Sequence, residues 1–271
     1  MSERTAKGKK SQVLPGGVVA VIQARMGSTR LPGKVLKSVA DRPLLGYLLE
    51  RVRLSRVDDL IVATTENAED DAVAAFCAQE GVTVYRGSEQ DVLDRFYQAV
   101  RPTTCQYVMR LTGDNPLLDP GVCDRVLSEM AASSCDFVGL GPSFAEGLDC
   151  CVFRRTVLEE AWKEASLPSE REHVTLFIHN HPERYDIRRL KNDSDDSAIR
   201  ITVDESRDFE VVQKIITELY SDGSIPTFQE IKAFLSETGL HALNGEIPRN
   251  EGLTKSLRAE ADTAGSGKDS R

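Results

Sequence analysis

The sequence predicts an α/β protein whose mostly parallel sheet carries helices on both faces, and three observations support that reading. The run Val18-Val-Ala-Val-Ile22 is continuously apolar, as expected of a strand buried on both sides. Strand-like and helix-like segments then alternate four times, which calls for right-handed crossovers and parallel pairing. The chain has 271 residues, 40% of them hydrophobic, enough to bury one large core.

The elements follow in order. Over 43–55, Leu44, Leu45, Leu48, Leu49 and Val52 recur at helical spacing. A second strand is expected at 60–63, then a helix over 68–80 with Asn67 as its cap and Gly81 as its stop. Strand 82–85 and helix 89–101 come next, followed by strand 107–111, helix 120–132 and strand 136–140. Residues 144–205 are less regular, with helices near 155–166 and 170–180 and strands near 185–190 and 198–203. Helices over 207–220 and 227–237 close the pattern. Residues 1–17 are polar and lysine-rich, and residues 250–271 hold few large apolar side chains; both are expected to be disordered, leaving a domain over 18–249.

Open parallel sheets bind ligands beyond the carboxyl ends of their strands, which places loops 23–34, 64–67, 86–91 and 112–119 on one rim. No stretch approaches the ~20 apolar residues of a membrane span, and the polar start lacks a signal-peptide core, so a cytoplasmic protein is expected. The six cysteines show no C-x-x-C pair and read as small apolar residues. Net charge is −9, but residues 1–12 carry +3 and residues 250–271 carry none, leaving about −12 on residues 13–249. So acidic a body argues against a nucleic-acid groove and makes a compact basic cluster within it informative.

That cluster is Gln23-Ala-Arg-Met-Gly-Ser-Thr-Arg-Leu-Pro-Gly-Lys34. Arg25, Arg30 and Lys34 interleave with Gly27, Ser28, Thr29 and Gly33. Glycines expose backbone amides, guanidiniums fork onto phosphate oxygens, and Lys34 adds a compact charge. Each such contact at ~4 Å carries up to ~4 kcal/mol of raw attraction at an effective dielectric near 20, far beyond a helix dipole. A polyphosphate is the natural guest. No Ser or Thr follows Lys34, so the segment is not a P-loop, and it lacks G-x-G-x-x-G.

This opening resembles the SpsF-like branch of the cytidylyltransferase family and is similar to CMP-KDO and, more distantly, CMP-sialic acid synthetases. The resemblance continues through Ala63-Thr-Thr-Glu-Asn67, Tyr85-Arg-Gly-Ser-Glu-Gln-Asp-Val-Leu-Asp-Arg95, Arg110-Leu-Thr-Gly-Asp-Asn-Pro116, Ser169-Glu-Arg-Glu-His-Val-Thr175 and Thr202-Val-Asp-Glu-Ser-Arg-Asp-Phe-Glu210. It covers about residues 18–245. It implies a Rossmann-like, GT-A-like three-layer nucleotidyltransferase sandwich, CTP as donor, a small sugar-like acceptor and, by analogy, a homodimer. Gln23, Ala24, Arg25, Gly27, Ser28, Thr29, Arg30 and Lys34 would hold the nucleotide, with Thr64, Arg86, Ser88 and Arg110 beside them. Lys34, Arg25 and Asp114 would carry catalysis.

Asp114 follows the fourth strand and Asp204 follows the segment 199–203, so each carboxylate is placed over the rim. The resemblance implies that this pair holds Mg²⁺, with phosphate and water filling the remaining positions. As a cap or turn residue each aspartate would be purely structural, and Asp208 competes with Asp204 for the metal. Arg86, Ser88, Asp91 and Arg95 form a further cluster, in which Asp91 and Arg95 could simply pair along a helix.

Residues 144–191 are expected to shape the acceptor pocket, with Asp149, Arg171 and His173 as its polar groups. His179 and His181 read as the end of a helix rather than zinc ligands. One departure stands out: SpsF-like sequences read Gly-Leu-Asp-Val-Glu where this chain has Gly147-Leu-Asp-Cys-Cys151. The missing acid leaves Asp149 to meet the acceptor, and an activated Cys151 nucleophile would need an electropositive setting. The expected reaction is transfer of CMP to a sugar hydroxyl. A GT-A-type transferase using a nucleotide-sugar donor, or a nucleotide-binding protein without chemistry, are the alternatives.

Overall fold

The computed structural model describes residues 14–220, 224–249 and 251–266. Its strands are β1 (Val18–Gln23), β2 (Ser38–Val39), β3 (Arg42–Pro43), β4 (Asp59–Thr65), β5 (Thr83–Gly87), β6 (Tyr107–Thr112), β7 (Phe137–Leu140), β8 (Cys151–Arg154) and β9 (Ile187–Leu190). Its α-helices are α1 (Leu44–Leu54), α2 (Asp71–Gln79), α3 (Val92–Val100), α4 (Pro120–Ser133), α5 (Arg155–Glu164), α6 (Pro168–Glu172), α7 (Leu176–Asn180), α8 (Ser206–Leu219), α9 (Phe228–Thr238) and α10 (Glu251–Ser266).

The main sheet runs β5-β4-β1-β6-β8-β7-β9. Pairing is parallel from β5 to β6 and between β7 and β9, while β8 is antiparallel to both neighbours. β1 shows why the apolar run forms its centre. Val18, Ala20 and Ile22 join one core beneath α1, α4, α8 and α9; Val19 and Val21 join the other, beneath α3, α5 and α7. The chain is therefore a three-layer α/β sandwich, as the alternation predicts.

The first half matches expectation closely and the second departs from it. Cys151–Arg154 forms β8, which the sequence reading did not anticipate, because four residues offer too short a pattern to separate from a loop. Residues 198–203 contribute only an isolated bridge between Glu146 and Arg200 rather than a strand. The helix expected near 170–180 is two short ones, broken where Val174 adopts φ 30.

Both predicted tails also differ. Leu14 is 1% exposed and belongs to the core, so order begins before residue 18; residues 1–13 lie outside the described residues. Residues 251–266 form α10 rather than a disordered tail. This helix needs little apolar surface because polar contacts tie it down: the Ser169 hydroxyl donates to Glu260 at 2.7 Å, and Ser256 donates to Glu172 at 2.8 Å.

Candidate active site

The loop after β1 is shaped before any ligand arrives. The carboxylate of Asp70, 1% exposed, accepts the Met26 amide at 2.6 Å and the Thr65 amide at 3.1 Å, fastening the loop to the end of β4. Gly33 takes φ 68, which turns the chain back and lets its amide reach the Met26 carbonyl at 2.9 Å. Gly113 lies so close to the loop that a Cβ there would meet Ala24 Cβ at 2.9 Å. Its amide donates to the Gln23 carbonyl at 2.8 Å, locking β1's exit to β6's exit. Ser28 accepts the Leu31 amide at 3.3 Å, while Thr29 is exposed.

Four of the predicted residues converge. The Lys34 ammonium donates to Asp114 at 2.9 Å and to Asp204 at 2.8 Å, and Arg30 reaches the same Asp204 oxygen at 3.0 Å. Burial would depress the Lys34 pKa, but the two carboxylates outweigh it and lift the amine above its ordinary value. Burial likewise opposes charge on Asp204, yet Lys34, Arg30 and Arg200 hold its pKa below the ordinary value. The two aspartates come from segments tied together by the Val203 amide, which donates to the Asp114 carbonyl at 2.8 Å.

Behind Asp204 stands a buried network. Arg200, 4% exposed, pairs with Glu146 at 2.6 Å, Asp204 at 2.9 Å and Asp208 at 2.8 Å. Asp208, wholly buried, also accepts the amides of Asp204 and Glu205 at 3.0 Å each and the Asn244 side chain at 2.9 Å. Asp208 is thus committed to holding the turn, and Asp204 is the aspartate that faces the rim. Among the described residues no three His, Cys, Asp or Glu side chains form a metal cage. Two converging carboxylates without a cage match a hard cation that draws its other ligands from phosphate and water.

Other predicted residues are otherwise engaged. Arg25 is ion-paired with Glu89. Arg86 is clamped by the Thr65 carbonyl at 2.9 Å, the Asn67 carbonyl at 2.9 Å and Asp71 at 2.5 Å. Ser88 accepts the Asp91 amide at 3.1 Å. Arg171 forks onto Asp91 at 3.0 and 2.5 Å rather than facing an acceptor, so Asp91 pairs with Arg171 and not with Arg95. Asp149 is exposed and accepts the Gly147 amide at 3.0 Å. Thr64 is fully buried, its hydroxyl without a partner among the described residues.

The face carrying β6, β8, β7 and β9 is electrostatically different. Arg110 opposes Cys151 across β6 and β8, and Gly139 opposes Arg189 across β7 and β9. A Cβ on Gly139 would lie 3.7 Å from Cys151 Cβ, so the four residues form one row with small side chains in the middle. Among the described residues the Arg110 side chain donates to the Gln23 side chain at 3.3 Å, and its buried Nε has no partner there. His173 and His179 adjoin this row; burial, with Arg189 and Arg110, holds His179 down to about 4. Burial also lowers His173, whose Nε2 meets Ser256 at 2.9 Å. Cys151 is pushed up to about 11 by burial, despite Arg110, so it is a neutral thiol and no nucleophile.

Sequence reasoning did not single out Asp70, Arg200 or Arg189. The first two are buried charges whose signal is their burial, invisible in a linear pattern. Arg189 lies in Ile187-Arg-Arg-Leu190, where period-two alternation could have placed it on one sheet face.

A sandwich with a glycine-bearing basic loop after β1 and two carboxylates at the strand exits defines a nucleotidyltransferase. The cytidylyltransferase family model matches residues 19–238, and the chain belongs to that family. It is 36% identical over 213 residues to the spore coat polysaccharide biosynthesis protein SpsF of Bacillus subtilis, covering 73% of this chain and 85% of that one. An uncharacterised protein of Methanocaldococcus jannaschii is 40% identical over 197 residues, covering 72% of this chain and 81% of its own. A solved cytidylyltransferase from Leptospira borgpetersenii superposes with a TM-score of 0.79 at 31% identity, covering 86% of this chain and 99% of that chain. Among the described residues no helix is long and apolar enough to cross a membrane.

Proposed function

We propose that this enzyme moves CMP from CTP to a hydroxyl of a sugar or sugar acid, releasing pyrophosphate, in the cytoplasmic synthesis of a surface polysaccharide. The convergence of Lys34, Arg30, Asp114 and Asp204 carries the reading, and the similarity to SpsF points to the pathway class. The acceptor hydroxyl oxygen attacks the α-phosphorus, the bond to the β-phosphate oxygen breaks, pyrophosphate leaves with that electron pair, and the hydroxyl proton is lost to solvent.

Arg30 and Lys34 bind the triphosphate, and amides of the loop 24–33 orient it. Asp114 and Asp204 are the residues that would hold a divalent cation such as Mg²⁺, which when bound supplies further neutralisation of the polyphosphate charge. Lys34 stands between the same carboxylates, so it keeps them aligned until the nucleotide arrives. No side chain needs to form a covalent intermediate, and catalysis is positioning plus charge neutralisation. Arg110 and Arg189 have no carboxylate partner among the described residues, in contrast to Arg25, Arg30 and Lys34. Their row suits an acceptor bearing a carboxylate or phosphate.

The test is pyrophosphate release when the four nucleoside triphosphates are supplied with a panel of acidic and neutral sugars. CTP with an acidic sugar should release it, and Asp114→Asn should abolish metal-dependent turnover while the protein stays folded. Release only from a nucleotide-sugar donor, with none from CTP, would assign the fold to glycosyl transfer instead.

A further inference from the structure

α10 lies beyond residue 238, where the family match ends, yet it touches both sides of the site. Glu251 accepts from Arg30 at 2.7 Å, and Ser256 meets His173 at 2.9 Å. Ser169 on α6 holds the far part of the helix through Glu260. Just before α10, Arg249 donates to the carbonyl of Phe144 at 3.0 Å and of Pro142 at 3.2 Å, which anchors the chain at the rim. The helix is therefore anchored at its base and tied along its length by polar contacts.

We infer that α10 is a self-inhibitory strap whose Glu251 carboxylate occupies the Arg30 guanidinium that the triphosphate requires, so that CTP must displace it to bind. This rests on the phosphate-binding role of Arg30. A carboxylate and a phosphate oxygen make the same charge-assisted contact with a guanidinium, so the two compete for one donor set. Arg30 keeps Asp204 at 3.0 Å when Glu251 leaves, and Lys255, 2.8 Å from Glu251, gives the released carboxylate an alternative partner. When the Arg30–Glu251 contact breaks, each charge thus keeps a partner it already has. The same movement withdraws Ser256 from His173 and opens the acceptor side, linking donor binding to acceptor access.

The test uses the full chain with Glu251→Gln and CTP calorimetry. The Arg30–Glu251 pair is partly exposed, 27% and 29%, so its removal should tighten CTP binding about two- to five-fold at low ionic strength. The gain should shrink at about 1 M salt, where screening already weakens the pair. Hydrogen exchange over residues 251–262 should rise when CTP is added to the unaltered protein. Unchanged or weaker CTP binding in Glu251→Gln, or unchanged exchange over α10, would overturn the strap. Arg30→Ala separates the two levels. If it weakens CTP binding while Glu251→Gln does nothing, the strap alone fails; if Arg30→Ala is itself without effect, the phosphate reading fails with it.

Discussion

Replacing Lys34 with alanine should separate nucleotide binding from folding. The ammonium is 2.9 Å from Asp114 and 2.8 Å from Asp204, and its side chain is 12% exposed. A charge-assisted hydrogen bond from such a group to a phosphate contributes about 1.5–3 kcal/mol net, which corresponds to a roughly 10- to 150-fold loss of CTP affinity. Folding should suffer less, because Asp204 keeps Arg30 at 3.0 Å and Arg200 at 2.9 Å. Asp204 loses one of its ion pairs and Asp114 alone of the two is left without one among the described residues, so the expected stability cost is about 1–2 kcal/mol. The raised pKa of Lys34 sets the sign with pH: its contribution is complete below its ordinary 10.5 and fades as pH climbs through the higher folded value. Calorimetry with CTP, paired with urea unfolding at pH 7.5, reads both quantities. A CTP affinity within twofold of the parent, with stability reduced, would refute the reasoning and leave Lys34 a structural cation.

Asp208→Ala should be the more damaging change to the fold, costing about 3–5 kcal/mol because buried Arg200 loses its most deeply buried counter-charge; a Tm shift under 3 °C would contradict this. Arg189→Ala should raise the KM of an anionic acceptor about tenfold and leave that of CTP unchanged, and equal effects on both would remove it from the acceptor face. His179 is held at about 4 against an ordinary 6.5, mainly by burial, so its neutral form favours the fold. That contribution is whole above pH 6.5 and drains as pH falls toward 4; melts in this window should fall less steeply for His179→Phe than for the parent.

The main-sheet half of the fold from β1 to α4 was legible because its strands carry apolar runs between clear turn signals and each helix spans enough turns to show its period. The two-residue β2 and β3 were too short to show a pattern. The phosphate loop was legible for a related reason: its chemistry is contiguous in sequence. The acceptor half was not, because β8 has four residues and Arg189, at the end of the same row, arrives from β9, beyond β7 in the sheet. Composition also misled at the C-terminus, where α10 makes polar contacts with Ser169, His173 and Arg30. Arg171 shows the same limit at one residue: the sequence offered it to the acceptor, and the fold gave it to Asp91.

The seam between β6 and β8 divides the molecule into two kinds of construction. On one side every strand is parallel and every ligand-facing loop emerges at the same end, as the donor requires. On the other side the antiparallel β8 reverses direction, so Cys151 enters the sheet beside Arg110 from a loop of its own. The joint is only a few residue pairs long. If the Arg110–Arg189 row meets the acceptor, as proposed above, substitutions on β7, β8 and β9 should change the acceptor's KM while leaving that of CTP unchanged. On the reading proposed above, Cys150 and Cys151, where the resemblance to SpsF-like sequences leads one to expect valine and glutamate, are a change of lock on one door of a two-door room.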